Sequence, residues 1–504
     1  MTIPMLLKLF ATAVTLFVGS RVYLYQSRQL NARKHGCQSA PRYKHKDPVF
    51  GLDLFLRTGD AMTKNRFLVE HQQRYDTYGR TFEALNFGSL VVYSVHPENI
   101  KAVWSKNAAD WGVQPMRLHV MKPFCGVGFL TTDGSEWKLS HSLMKPGFHK
   151  SNINDFEPLE EHFQLMLEKI PKDGSTFDLQ PWILKLYLDL NTLFLFGEPI
   201  GMLSQSPSPH AEGFLTAFQE GFNGCGMRFA LGPLKFLFPS KGWLKACKRT
   251  HEFANVYVDR ALEYRKEHLT DAMDEAPAKK RTLLYHMAQQ TSDKTVLRDQ
   301  IVQAMMAATE TTASLISSVV HALSQNGDVF ATLRAEILAI GSVELDFDSL
   351  SRLEYLQNVI TETLRLYPVF PQNNRMALRD TVLPTGGGPD GTAPIFAPAG
   401  TLFDTCFATL HRDKKIWGPD ADVFRPDRWA GECHPSAFEF MPFGAGPRQC
   451  LAQQKATMET SYVITRLLQE FKEIKSRDER PWQAQVALTA KNANGCLVSL
   501  TRAT

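Results

Sequence analysis

From about Asp133 to Leu366 the sequence keeps apolar residues three to four positions apart, interrupted only by short turns. A helical tract of that length leaves little chain for a large sheet and predicts a mainly α fold. Its longest run is "LRDQIVQAMMAATETTASLISSVVHALSQNGD". Ile301, Met305, Ala308, Leu315, Val319 and Ala322 recur there at helical spacing, and Asn326-Gly327 closes it. Strand signals stay at the margins. "TFEALNFGSLVVYSVHPENIKAVWS" reads as two short strands turning into a helix. "LPTGGGPDGTAPIFAPAGT" reads as a loop with short strands, and "AQVALTAKNANGCLVSLT" as a hairpin around Asn494-Gly495. The expectation is a large helical domain with small β-sheets.

The N-terminus differs. A mostly apolar run from Ile3 to Tyr25 is interrupted by Lys8 and Arg21, both able to snorkel. It predicts an N-terminal transmembrane helix over 1–25, near the short end of what a bilayer needs. Arg21, Arg28, Arg33 and Lys34 place the downstream side in the cytoplasm. A cleaved signal peptide is the competing reading, but the positive charge sits mainly after the run. Residues 26–50 read as a basic, proline-containing linker and 51–504 as the main domain.

With a formal charge of +4 and no long basic run, the chain offers nucleic acid no electrostatic footprint. Its eight cysteines are scattered singly, without a CxxC pair. That argues against a disulfide framework and a structural zinc site, and fits a reducing compartment.

One cysteine stands in an unusual setting, "FEFMPFGAGPRQCLAQQKATMET". Leu451, Ala456, Tyr462, Val463, Leu467 and Leu468 fall on or near one helical face, so Cys450 sits at a helix N-terminus. There, free N–H groups and the dipole favour a thiolate. Gly444 and Gly446 permit close backbone approach, Pro447 stiffens the loop, and Arg448 adds a cation. Such a loop can hold a thiolate against a flat, anionic cofactor. An arbitrary lone cysteine, by contrast, is usually a small buried hydrophobe.

"FGAGPRQC" resembles the haem-binding loop of the cytochrome P450 family, F-x-x-G-x-R-x-C-x-G/A, through Phe443, Gly446, Arg448, Cys450 and Ala452. The resemblance implies the cytochrome P450 fold and haem b (iron protoporphyrin IX). It makes Cys450 the axial thiolate, sets Arg448 at a propionate and packs Phe443 near the sulfur. A thiolate ligand pushes electron density onto iron and favours O–O cleavage. It makes 51–504 a haem-thiolate catalytic domain.

Three further motifs follow the same resemblance. Glu362 and Arg365 in "NVITETLRLYP" share a helix face and resemble the family's E-x-x-R. Arg428 in "FRPDRW" is implied to join them in a buried structural cluster. "AATETTA" resembles the oxygen-activation segment, which makes Glu310 and Thr311 a catalytic acid–hydroxyl pair able to relay protons. Ala308 there replaces the usual glycine. "DGSEWKLSHSLMKPGFHK" resembles the W-x-x-x-R helix; Trp137 matches, while His141 stands where arginine is usual. An imidazole would make cofactor retention depend on pH, weakening at high pH. Arg375 in "PQNNRMAL" matches a further propionate-binding arginine.

"FLFGEPI", "YPVFPQNNRMAL" and the Gly-rich insert resemble the fungal membrane-bound branch that hydroxylates alkanes and fatty acids. The implied function is a monooxygenase inserting one oxygen atom from dioxygen into a C–H bond of an apolar small molecule. That substrate is either a long-chain fatty acid or alkane, or a secondary-metabolite intermediate. Implied partners are NADPH–cytochrome P450 reductase and membrane lipid, at the endoplasmic reticulum, because the chain shows no flavin or nicotinamide fingerprint of its own. Lys138, Lys145, Lys150, Lys414, Lys415 and Lys455 are candidate docking charges. The rivals are an oxygen-independent haem-thiolate isomerase or dehydratase, and a non-catalytic haem- or lipid-binding protein.

Overall fold

The computed structural model describes residues 3–204, 209–238, 240–267, 282–341, 343–431 and 433–503. Of these, the side chains of 3–11, 13–14, 17–18, 21, 24–25 and 209–210 fall outside the described set. The chain divides into two units: Met1–Phe55 with Gln72–Gly112 and Asn374–Cys406, and Leu56–His71 with Val113–Asn373 and Phe407–Thr504.

The first unit carries most of the β structure. Strands β1 (Thr81–Asn86) and β2 (Ser89–Ser94) form the expected antiparallel hairpin. Its two-residue turn puts Phe87 and Gly88 at positive φ, 49° and 71°, which matches the right-handed twist of the strands. With β3 (Trp111–Gly112), β5 (Gln372–Ala377) and β8 (Leu402–Cys406) they build a five-stranded sheet ordered β1-β2-β8-β5-β3. The Gly-rich insert folds as a second antiparallel pair, β6 (Thr381–Gly387) with β7 (Ala393–Ala397). Helix α1 (Ile3–Lys34) covers the expected anchor and continues past residue 25. Among the described residues no helix is long and apolar enough to cross a membrane. Most side chains of the expected span lie outside those residues.

The second unit is mainly helical. Those that position the site are α2 (Gln114–Cys125), α3 (Gly134–Met144), α4 (Gln180–Phe196), α5 (Pro209–Leu231), α6 (Ser240–Glu267), α7 (Lys294–Ala308), α8 (Thr311–Gln325), α9 (Glu354–Leu366) and α10 (Gln453–Glu470). One apolar cluster joins Leu186, Ile316, Val319, Leu356 and Val463; another joins Phe124, Phe218, Phe253, Leu297 and Ile301. Both are contiguous buried cores of the kind that hold a helical layer together.

The longest helical run is two helices, not one. It breaks at Thr309-Glu310 without proline or glycine. The Thr309 and Thr311 hydroxyls donate to the carbonyls of Met305 and Ala307, four residues back, at 2.6 and 2.9 Å. Such back-bonding bends helices. Asn191 on α4 donates its Nδ2 to the freed Ala308 carbonyl at 3.0 Å and so satisfies the break.

The expected hairpin around Asn494-Gly495 does not form. Strand β10 (Ala484–Val486) pairs instead with β11 (Ala490–Asn492), with the turn at 487–489. Strand β12 (Leu497–Arg502) leaves for another sheet, between β4 (Phe177–Asp178) and β9 (Phe471–Ser476). There Val498 and Leu500 face the first core cluster. Asn494-Gly495 is therefore a corner: the Asp178 carboxylate accepts the Cys496 N–H at 2.8 Å and turns the chain toward β12.

Candidate active site

Cys450 lies on a loop that closes on itself. Its N–H donates to the Phe443 carbonyl at 3.0 Å, around a short turn at Gly446–Arg448. Gly444 and Gly446 sit at φ 71° and 68°, where side chains are strained. A Cβ added at Gly444 would meet nothing within 4 Å, so that side of the loop is open. Phe443 packs on the edge of the first core cluster. Helix α10 begins at Gln453 with Ala452 as N-cap, two residues beyond the cysteine.

Cys450 is exposed on one side. The protein around the rest of it desolvates the sulfur and raises its thiol above the usual value, against the opposing Ala452 N–H. The helix terminus alone therefore does not depress this thiol, contrary to the sequence-based expectation. A metal cation bound to the sulfur would supply the missing stabilisation, since a coordinating thiol is deprotonated.

Beside the loop stands a cluster of cations. Arg448 Nη2 donates to the Asp133 carboxylate at 2.7 Å and to the Thr132 carbonyl, and its guanidinium lies 4.7 Å from the Trp137 ring centroid. Trp137 and His141 share α3, with ring centroids 5.0 Å apart. Burial, then Lys145 and Arg448, lowers the His141 imidazole below its ordinary value. Arg117 on α2 was not singled out by sequence. Burial and the neighbouring Arg448 lower it to about 10, with Asp133 opposing. Arg448 pairs with Asp133, while Arg117 donates to the Leu130 carbonyl at 3.3 Å and to Asn373 Oδ1 at 3.4 Å and feels Asp133 only through space. Arg375 belongs to the first unit, on β5, where its guanidinium stands 4.6 Å over the Trp104 ring.

On the broken helix, Glu310 is the N-cap of α8: its carbonyl accepts the Ser314 N–H at 2.9 Å, and its side chain makes no cap bond. Its carboxylate accepts the Thr489 hydroxyl at 2.9 Å. A cavity of about 240 Å³ adjoins it, lined by Leu188, Phe218, Phe222, Met306, Thr309 and Lys491 among others. The Thr311 hydroxyl, held on the Ala307 carbonyl, follows one residue later.

Glu362 and Arg365 form a fully buried two-pronged pair on α9. Arg428 Nε lies 3.5 Å from the same carboxylate, while its Nη groups bind Asp420 and the Trp417 carbonyl. The Trp429 indole and the Arg425 N–H also donate to Glu362. Of the candidate docking lysines, Lys455 is largely buried and pairs with Glu459, and Lys150 pairs with Asp348. Lys138, Lys145, Lys414 and Lys415 remain exposed.

The family model for cytochrome P450 matches residues 41–497. The chain belongs to the cytochrome P450 family. It is 35% identical over 488 residues to the cytochrome P450 monooxygenase apdE of Emericella nidulans, covering 96% of this chain and 92% of the relative. It is 36% identical over 497 residues to the cytochrome P450 monooxygenase fsdH of Fusarium heterosporum, covering 96% and 87%. It is also 34% identical over 510 residues to cytochrome P450 52A13 of Debaryomyces hansenii, covering 97% and 96%. This P450 is accordingly an oxidoreductase of the monooxygenase class, and its cofactor is haem b.

The residues present fit that group. The thiol is open on one side, Gly444 leaves that side clear, and the surplus charge of Arg117 and Arg448 over Asp133 suits an anionic edge. Arg117 stands in "PMRLHVMKPF" beside His119 and Lys122, so nothing local set it apart from an ordinary surface charge. Asp133 was named only as the approximate start of the helical tract. Thr489 carried no local signal at all.

Proposed function

We propose that this P450 hydroxylates an apolar small molecule with electrons from NADPH, delivered by a separate NADPH–cytochrome P450 reductase. One oxygen atom of dioxygen enters a substrate C–H bond. The other leaves as water, which consumes two electrons and two protons. Haem b, bound through Cys450 with Arg448, Trp137, His141, Arg117 and Arg375 as candidates for its acidic edge, supplies the dioxygen chemistry. The chain's own contribution is positional. The loop of Phe443–Cys450 presents the sulfur, and the Glu362–Arg365–Arg428 cluster supports the fold beneath it.

The observation that carries this reading is the helix break at Thr309-Glu310. It sets the Glu310 carboxylate beside a cavity at the start of α8 and a hydroxyl, Thr311, one residue further on. An acid next to a hydroxyl relays protons inward. An isomerase or dehydratase acting on a hydroperoxide needs no such relay. Thr311→Ala is expected to divert reducing equivalents to peroxide; unchanged coupling removes Thr311 from the mechanism. A red-shifted Soret band in the reduced carbon monoxide complex tests the sulfur ligand, and Cys450→Ser should abolish it.

For the substrate, a long-chain fatty acid or alkane and a secondary-metabolite intermediate stand level: motif resemblance supports the first, while Ala308 and His141 depart from the family pattern and argue against assuming it. A substrate-binding spectral screen against fatty acids, alkanes, terpenes and aromatic polyketides separates them. We place the protein at the endoplasmic reticulum through residues 1–25. Deleting them should release it from microsomes, and unchanged sedimentation with membranes would overturn the anchor.

A further inference from the structure

We propose that Thr489 is a positioning residue for Glu310. It holds the carboxylate against the cavity wall and thereby sets how much reducing power ends in product rather than peroxide.

The break in the helix creates the need. Glu310 sits at φ −101° and ψ −20°, ahead of α8, and its side chain is not fixed by a neighbouring helical turn. Thr489 is its only hydrogen-bond partner on the protein among the described residues: the hydroxyl reaches Oε2 at 2.9 Å and leaves the other oxygen free. Thr489 can serve because it is itself immobile. It is 5% exposed and β-branched, hence stiff at χ1. It occupies the turn between β10 and β11, where the Ala487 N–H closes onto its carbonyl at 2.9 Å. The next residue ties the turn down, through the Ala490 N–H on the Val369 carbonyl at 2.8 Å. A rigid donor from a distant segment thus fixes a side chain that its own helix leaves free.

The cavity gives the held rotamer its use. Gln219, Asn223, Thr309 and Lys491 bring polar groups to a space large enough for several waters, among apolar walls from α4 and α5. Lys491, two residues beyond Thr489, lines the same cavity. Water there can reprotonate the free carboxylate oxygen, while Thr489 stops the side chain from swinging away.

In the coupled reaction substrate, dioxygen, NADPH and a proton give alcohol, NADP⁺ and water. In the uncoupled one dioxygen, NADPH and a proton give hydrogen peroxide and NADP⁺. Both deliver two electrons and two protons to dioxygen; they differ in whether both protons reach the same oxygen atom, which then leaves as water, or one reaches each, which releases hydrogen peroxide. The inference rests on the relay role proposed above for Glu310, and the experiment separates the two. Holoenzyme with reductase and the tightest-binding compound of the spectral screen is compared as wild type, Thr489→Val, Thr489→Ser, Glu310→Gln and the Thr489→Val/Glu310→Gln pair. Peroxide and product per NADPH, the solvent isotope effect on turnover, and denaturant midpoints are measured.

Thr489→Val should raise the peroxide-to-product ratio about tenfold, the factor by which one hydrogen bond to a charged acceptor biases a rotamer equilibrium. It should also enlarge the solvent isotope effect, Thr489→Ser should restore both, and the valine should add nothing in the Glu310→Gln background. The midpoints should show non-additive coupling between the two positions even where turnover is slow. Wild-type coupling in Thr489→Val, or an equal effect of the valine in both backgrounds, overturns the inference while leaving the relay standing. Unchanged coupling in Glu310→Gln overturns both.

Discussion

Arg365 grips Glu362 with two parallel hydrogen bonds, Nε to Oε2 and Nη2 to Oε1, each 2.8 Å long, and neither side chain is exposed. The remaining guanidinium donors go to the carbonyls of His411, Ala421 and Val423. Such a pair survives burial only because each donor and lone pair is met.

Truncating one partner strands the other. Glu362→Ala and Arg365→Ala are each expected to lose about 3–5 kcal/mol of folding free energy. Arg365→Lys should also be poorly tolerated, since an ammonium cannot make the fork. Denaturant midpoints and soluble yield check this; wild-type midpoints in the alanine variants would show that the cluster does not support the fold.

His411 links this cluster to the cysteine loop. Its carbonyl accepts Arg365, and its ring Nε2 accepts the Met441 N–H at 3.0 Å, at the start of the loop. Burial, then Arg365 and Arg412, push the imidazole down to about 3. Between that value and its ordinary 6.5 the unfolded chain binds a proton that the folded one does not. Stability is therefore full above pH 6.5 and falls as pH drops toward 3. The loss should be about 2 kcal/mol by pH 5. His411→Gln, which keeps an acceptor for Met441, should show a flatter profile between pH 7 and 5.

His141 changes the pH dependence expected from sequence. Since its imidazole is lowered rather than raised, its charge is gained only on acidification. Cofactor retention should strengthen on acidification below pH 6.5 as far as His141 alone is concerned. His141→Arg should retain the cofactor equally across that range. A wild-type profile as flat there as the arginine's would contradict this.

Gly495 lies at φ +81°, and a Cβ there would come within 2.5 Å of the Asp178 carboxylate. Gly174, at φ +71°, has only the Leu500 carbonyl, 4.0 Å away. Gly174→Ala should therefore show the backbone cost alone, about 1–2 kcal/mol. Gly495→Ala should cost more, because it also displaces the carboxylate that holds the Cys496 N–H. Equal midpoints for the two would show that the Asp178 contact is dispensable.

Local features were readable before any coordinates. The i,i+3 spacing of Glu362 and Arg365, the positive-φ glycines before Cys450 and the turn at Phe87-Gly88 all follow from rules acting over a few residues. What escaped notice acts over long separations. Thr489 meets Glu310 across 179 positions, and Asn191 meets Ala308 across 117. The periodicity of the long helical run was real, yet threonine hydroxyls bonding backwards could split it without disturbing the apolar pattern. Asn494-Gly495 looked like a hairpin because both flanks alternate. Pairing was decided by β9 and β4, which offer β12 a longer and more buried partnership than β11 can.

The sheet of β4, β12 and β9 also bears on how the protein is made. Asp178 and Cys496 stand 318 residues apart, and both sit at the seam of that sheet. During synthesis the segment around Phe177 leaves the ribosome long before its neighbour exists, with part of a hydrophobic core waiting uncovered. The nascent chain must stay soluble through that interval, which makes chaperone supply, alongside intrinsic stability, a control on recombinant yield.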